Sequence, residues 1–442
     1  MRSTGARSRL LLLRKDARMF AGNGPLMRKL LIVAYAFPPH AAPGAARAWR
    51  FYKYLPEFGY ETYVLTASCP DQPQPRVTYI RPPARNLGEK VLRRFFFPTD
   101  EDVLWTLPAT RAARRMLIDT PMDAVLSTVP YIQDHTIAYR LKREFGLPWI
   151  ADYRDPIVGN PFRRTTGIAG AVDRLLDARF FENADLLLSV TDYVRQAWIR
   201  RCPDVATKSA VIWNGYDPEE VIAPTPIPRR PYRVIAHFGS FYGGRAPGMA
   251  LASVLRLVRR GVLDPARFRF RMVGVIGPEI VATNHDLFGQ LTSLGCLEFV
   301  PPMPRPQALE AMMQSDSLLL VDNNSAAIGH TVPAKLFEYI RVGRPVLALT
   351  VNGSPVEQIL AMSGVPFVTL TRELDESVVD ARMVEFLNLS TKPVGLSEQF
   401  LQEFNGRNQA RTLAGLIDNL FNGCYAGISV HTGECGTETV EV

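Results

Sequence analysis

The stretch that most restricts the fold is Gly329 to Leu349, GHTVPAKLFEYIRVGRPVLAL. It reads as loop, helix, tight turn and strand. Pro333 suits a first helical turn, where its fixed φ fits and its missing N–H costs nothing. Leu336, Phe337 and Ile340 repeat at helical spacing and form an apolar stripe. Gly343 ends the helix, Pro345 blocks its resumption, and Val346 to Leu349 predicts a buried strand. A glycine-containing loop entering a helix offers free N–H groups and a positive dipole end, which suits a phosphate. Glu338, about a turn and a half in, could accept two hydrogen bonds from a ribose diol, because an ionised carboxylate only accepts. The alternative is an ion-paired helix face, since Lys335 and Arg341 stand three residues either side of Glu338.

With 442 residues, the chain is long enough for two to three domains. Its 47% hydrophobic and 21% charged content is that of a globular protein with ample core. The 51 basic and 43 acidic residues leave a net charge of +8, compatible with anionic ligands or an anionic membrane surface. Long cationic tracts are absent, and no nucleic-acid partner is expected. The five cysteines are scattered without metal-ligand spacing, which implies a reducing compartment and no metal site.

Residues 1–26 are expected to be a disordered or mis-started lead; a weak membrane-surface anchor is the alternative. Leu30 to Ala36 predicts the first buried strand. The loop FPPHAAPG and a helix from about Ala45 to Phe58 follow, then a strand at Glu61 to Ala67. A small-residue loop at the carboxyl end of a parallel strand is where open α/β sheets bind ligands, here with Gly44. The G-x-G-x-x-G spacing is missing, so a dinucleotide site is not expected. Arg47 and Arg50 could reach a phosphate or solvate their helix, the latter being the expectation. Arg93 to Pro98, RRFFFP, could press on a membrane or anchor a loop in the core. Strands at Ala124 to Thr128 and Trp149 to Tyr153 flank a helix at Gln133 to Phe145. The second strand runs into Asp152, Arg154 and Asp155, charges expected to face a cleft, with one carboxylate near the reacting centre. Tyr131 and His135 are candidates for binding an acceptor, although a lone helical histidine is more often structural.

Proline-rich APTPIPRRP, residues 223–231, marks a linker. Beyond it the alternation restarts: strand Val234 to Phe238, the glycine loop GSFYGGRAP with Gly244 and Arg245, and further strands at FRFRMV, Leu297 to Val300 and Ser317 to Asp322. The loop cation Arg245 and the helix cation Lys335 make a candidate diphosphate cradle. Gly406 to Leu420 predicts a last helix, and the tail a disordered one. The expected architecture is α/β, with two doubly wound Rossmann-like domains facing each other across a cleft. The expected parts are 27–222 on the acceptor side, linker 223–231, 232–400 binding a nucleotide sugar, a C-terminal helix at 401–421, and tail 422–442.

These blocks, in this order, resemble the GT-B-fold glycosyltransferases of the retaining family 4 / family 1-like group. The resemblance includes a subgroup used in bacterial polysaccharide biosynthesis. LLIVAYAFPPHAAPGAARAW is similar to the group's first strand and glycine loop, WNGYDPEE to its Asn-Gly-x-Asp turn, AHFGSFYGGRAP to its donor-phosphate loop, and PAKLFEYIRVGRPVLAL to its most specific block. The resemblance covers roughly Met27 to Leu420. It implies that Gly44 lets a loop approach the donor phosphate and that Arg245 and Lys335 neutralise the departing diphosphate. It implies that Glu338 holds the ribose and that Gly274, Val275 and Met303 flank the base. His330, Thr331 and Val332 would complete the donor side. His330 stands where the group carries its first glutamate, eight residues before Glu338, which leaves the sugar open. Arg154 stands at or near a position where many members carry histidine.

Such an enzyme would move a hexose-type sugar from a nucleotide-diphosphate donor to a glycan or lipid-linked acceptor, with no cofactor, no required metal and no dedicated nucleophile. Asp152 or Asp155 would orient the acceptor. Movement about the linker would exclude water. The expected place is the cytoplasm, with peripheral contact at the membrane's inner face as an open alternative. Two other readings remain: a sugar-nucleotide epimerase on the same fold, and a non-catalytic sugar-nucleotide-binding protein.

Overall fold

A computed structural model describes residues 27–40, 43–69, 72–160, 163, 166–222, 225–242, 245–322 and 332–423. The lead before residue 27, most of the tail, Gly244, His330 and Thr331 lie outside the described residues. The chain divides into two compact units: Met1–Trp213 with Gln409–Val442, and Asn214–Asn408.

The first unit is a seven-stranded parallel sheet in the order β3-β2-β1-β4-β5-β6-β7. The strands are β1 (Arg28–Val33), β2 (Tyr60–Thr66), β3 (Val77–Tyr79), β4 (Ala124–Val129), β5 (Trp149–Tyr153), β6 (Leu186–Ser189) and β7 (Ser209–Val211). Leu30 to Val33 and all of β4 and β5 are buried. That is why they read as unbroken apolar runs rather than alternating ones: helices cover both faces. The order reverses between β1 and β4, which are paired neighbours. The crevice at their carboxyl ends is therefore the ligand position of a doubly wound sheet. β3 lies in the Pro/Gln-rich stretch that reads as a plain connection; three half-buried residues give too short a pattern to stand out.

The second unit repeats the plan with six parallel strands, β10-β9-β8-β11-β12-β13. These are β8 (Arg233–Phe238), β9 (Phe268–Val273), β10 (Leu297–Val300), β11 (Ser317–Val321), β12 (Val346–Leu349) and β13 (Phe367–Leu370). Its order reverses between β8 and β11. The helix Lys335–Val342 ends where expected, at Gly343 with φ 71°, and β12 has the expected limits.

The first boundary falls at Trp213, ahead of the proline-rich stretch expected to divide the chain. The WNG stretch does not form the expected turn. Tyr216 instead bridges to Asn405: its N–H donates to Phe404 O at 3.0 Å, and Gly406 N donates back to Tyr216 O at 2.9 Å. The helix Gly406–Phe421 returns to the first unit. Ala410, Leu413, Ala414 and Ile417 join the core made by Leu30, Ile32, Phe51 and Leu126.

Candidate functional site

In the second unit the loops after β8 and β9 run side by side. Gly239 N donates to Val273 O at 2.8 Å, Phe241 N to Val275 O at 2.9 Å, and Gly277 N to Phe241 O at 2.9 Å. This ladder brings backbone against backbone at two glycines. A Cβ on Gly274, whose φ is +141°, would lie 2.3 Å from Gly239 O. A Cβ on Gly239, φ +123°, would lie 2.7 Å from Lys335 Nζ. Both positions need glycine, for conformation and for space.

Lys335 begins its helix and reaches back over Gly239. Its Nζ lies 3.2 Å from His237 Nε2. His237 is fully buried and stacks on Phe241 with ring centroids 4.1 Å apart. Its Nδ1 faces Leu319 O at 2.9 Å. A carbonyl only accepts, so Nδ1 carries the proton and Nε2 offers a lone pair to the ammonium. Burial, then the charge of Lys335, holds the imidazole well below its usual range, hence neutral. Burial and the neighbouring positive charge of Arg245 push the lysine down to about 7. Arg245 lies over the Tyr242 ring at 5.2 Å, donates to the Tyr242 hydroxyl at 2.9 Å, and has Nη2 3.9 Å from Asp322 Oδ1. Asp322, fully buried just after β11, balances part of this charge. The phenol of Tyr339 accepts from Phe238 N at 2.8 Å, fixing the helix against the end of β8.

Glu338 takes its hydrogen-bond partner from another element. Arg305 donates to its Oε1 from Nη2 at 2.8 Å and from Nε at 3.2 Å, and also grips Glu220. Arg341 pairs with Glu220 and lies over the Tyr216 ring. The ion-paired face of Lys335, Glu338 and Arg341 is therefore not formed; each of the three has a partner from another element. Val275 is exposed, Gly274 and Met303 are half-buried, and Val332 is buried.

The first unit brings together Gly44, Arg154 and Asp155. Arg154 donates to Asp155 Oδ2 from Nη2 at 3.0 Å and from Nε at 3.2 Å. Its Nη1 is buried with no hydrogen-bond partner among the described residues. That nitrogen lies so close to Gly44 that a Cβ there would come within 2.0 Å.

Three expectations need correction. Asp152 does not face a cleft: it is fully buried and clamped by Arg47, with Nη2 to Oδ1 at 2.8 Å and Nε to Oδ2 at 2.9 Å. Thr128 Oγ1 donates to it at 2.9 Å, and Arg47 continues to Trp213 O at 2.8 Å. Arg47 does not solvate its helix; it is only 1% exposed. His135 is a core residue: Ser127 Oγ is 2.8 Å from Nδ1, and Trp149, Tyr153 and Phe180 surround the ring. Burial pushes it down to about 3, so it stays neutral. Tyr131 is half-buried, 4.6 Å from Tyr35 between centroids. Sequence reasoning passed over His237, Asp322, Arg305 and Glu220. Only Asp322 carried a signal, as an acid closing the buried strand beside the switch point.

Among the described residues no group of three or more His, Cys, Asp or Glu could hold a metal ion, and no helix is long and apolar enough to cross a membrane.

Residues 44–220 match the Glycosyltransferase Family 4 model. No curated protein sequence matches the chain. Solved structures are similar in fold. Sucrose-phosphate synthase from Thermosynechococcus elongatus is 15% identical with a TM-score of 0.62, the match covering 90% of this chain and 100% of that one. HepE from Anabaena in complex with UDP-glucose is 12% identical with a TM-score of 0.54, covering 89% and 98%. UDP-GlcNAc 2-epimerase from Methanocaldococcus jannaschii is 10% identical with a TM-score of 0.52, covering 89% and 99%. The fold is thus shared by a sucrose-phosphate synthase and an epimerase, so the fold by itself does not decide the activity. Residues 44–220 thus match a glycosyltransferase family 4 domain, and the chain as a whole, with a second Rossmann-like unit after it, has the GT-B fold.

Proposed function

We propose that the chain is a retaining glycosyltransferase. It moves a hexose-type sugar from a nucleotide-diphosphate donor to a glycan or lipid-linked acceptor in cell-surface polysaccharide or glycolipid assembly. The observation that carries the donor reading is Lys335 set over the glycine-only backbone at the β8–β11 switch point, with the charge of Arg245 close enough to depress its proton affinity. Asp322 balances only part of their charge, and a diphosphate would supply the rest. Glu338 supports a ribose contact: Arg305 fixes Oε1, while Oε2 has no hydrogen bond among the described residues. Gly274, Val275 and Met303 flank the base. His330, Thr331 and Val332 lead into the helix whose dipole meets the phosphate.

In the reaction the bond from the anomeric carbon to the diphosphate oxygen breaks with its electron pair going to oxygen. The acceptor hydroxyl bonds to that carbon on the same face, and its proton passes to the departing phosphate. Arg245 and Lys335 meet the charge as it develops. In the first unit Arg154, steered by Asp155 and backed onto Gly44, is the acceptor-side cation. Peripheral contact with a membrane follows if the acceptor is lipid-linked.

Nucleotide sugars incubated with and without acceptor preparations test this. Acceptor-dependent release of nucleoside diphosphate is expected. An isomerised donor sugar supports the epimerase, and binding without turnover a binding protein. Arg245→Ala should lower kcat/KM by about 10²- to 10³-fold. Glu338→Ala should weaken nucleotide binding by roughly tenfold. Unchanged constants in both variants sink the donor assignment.

A further inference from the structure

We propose that the helix Leu87–Phe95 docks on the surface of an anionic lipid bilayer. It is capped by Asn86, whose Oδ1 accepts from Glu89 N at 2.9 Å. Its apolar residues divide into two sets. Phe97, just beyond the helix, turns inward against the first unit's core. Leu87, Val91 and Phe95 turn outward and are 77%, 44% and 49% exposed. Their spacing of four puts all three on one face, so water meets a continuous apolar stripe.

The charges around the stripe have one sign. The helix's only acid, Glu89, is buried, its oxygens accepting from Val103 N at 2.7 Å and Leu104 N at 3.1 Å. Arg85 at the foot of the helix is balanced by Asp102, 3.0 Å away. Lys90, Arg93 and Arg94 remain. The helical period sets Lys90 and Arg94 along one edge of the stripe, and the Arg94 guanidinium leans over the Phe95 ring at 5.9 Å. An apolar stripe edged by cations lies flat in a headgroup layer: the side chains enter the acyl boundary and the cations meet lipid phosphates. A second copy of the chain fits poorly, because a symmetric contact would oppose cation to cation. In sequence, residues 93–98 suit a membrane contact or a core anchor equally. The structure divides that segment, with Phe97 serving the core and Phe95 the exposed stripe.

Vesicle flotation of the full chain tests this and needs no donor, so its outcome is independent of the donor reading. Vesicles of phosphatidylcholine with about a third phosphatidylglycerol should bind at least about tenfold more protein than phosphatidylcholine alone, and added salt should reduce the difference. The combined variant Leu87→Ser, Val91→Ser, Phe95→Ser should lose about tenfold in binding. Its thermal midpoint should fall by no more than a few degrees, since all three side chains are already partly exposed. Lys90→Gln with Arg94→Gln should lose the preference for anionic lipid. Wild-type protein that ignores both vesicle types overturns the proposal. Variants that bind like wild type also overturn it, since contact then lies on another surface.

Discussion

A lysine ammonium ordinarily keeps its proton to about pH 10; Lys335, buried beside Arg245, is pushed down to about 7. Its neighbours set the sign of the pH effect. Burial and Arg245 disfavour the charge, Asp322 and Glu338 favour it, and neutral His237 offers only a lone pair. Because the folded value lies below the unfolded one, the unfolded chain holds more protons between them. The residue's contribution to stability therefore grows as pH rises through that window. Binding an anion does the reverse and restores the proton. Nucleoside diphosphate affinity should fall as pH rises above about 7, by up to about tenfold per unit, with proton uptake on binding. Calorimetric titrations at several pH values, in wild type and Lys335→Gln, check this. A slope that survives in the variant assigns the proton elsewhere.

At the scale of the element, the helix Pro43–Tyr54 serves two purposes. Its Arg47 clamps Asp152 of β5 in a pair that is 1% and 0% exposed. Breaking such a pair leaves a buried charge alone and typically costs about 3–5 kcal/mol. Its first turn serves Arg154 instead, through the side chain Gly44 lacks. Gly44→Ala should therefore separate activity from stability. Alanine is the better helix former by roughly 1 kcal/mol, yet its Cβ displaces the Arg154 guanidinium. Activity should fall about tenfold or more while the thermal midpoint holds. If the midpoint drops instead by several degrees, Gly44 serves packing and not the site. In sequence this glycine reads as part of a loop, whereas it lies in the first turn of the helix. Its partner was not legible there, because Arg154 comes from a strand end more than a hundred residues away.

Across the whole molecule the chain leaves the first unit after Trp213 and returns at Gln409. Gly406–Phe421 is an ordinary amphipathic helix in sequence. In the fold its Leu413 and Ile417 are completely buried in the first unit's core, and Asp418 pairs with Arg28 and accepts from the Tyr60 hydroxyl at 2.7 Å. Ending the chain at Asn405 should expose that core. The expected result is a loss of at least about 5 kcal/mol from first-unit stability, since each buried leucine or isoleucine removed costs about 2–5 kcal/mol. Two-stage unfolding measured by calorimetry would show it. A truncated chain with an unchanged first transition refutes the role given to this helix.

Apolar runs, helix-ending glycines and strand spacing come from local patterns, so the sequence alone determined two doubly wound α/β units and the helix and strand around Gly343. What a charged side chain does depends on what faces it, and facing partners are far apart in the chain. Only the tertiary structure decided that Asp152 and His135 belong to the core, that Glu338 answers to Arg305, and that His237 stands behind Lys335. Burial and pairing are properties of packed surfaces, and no local pattern carries them.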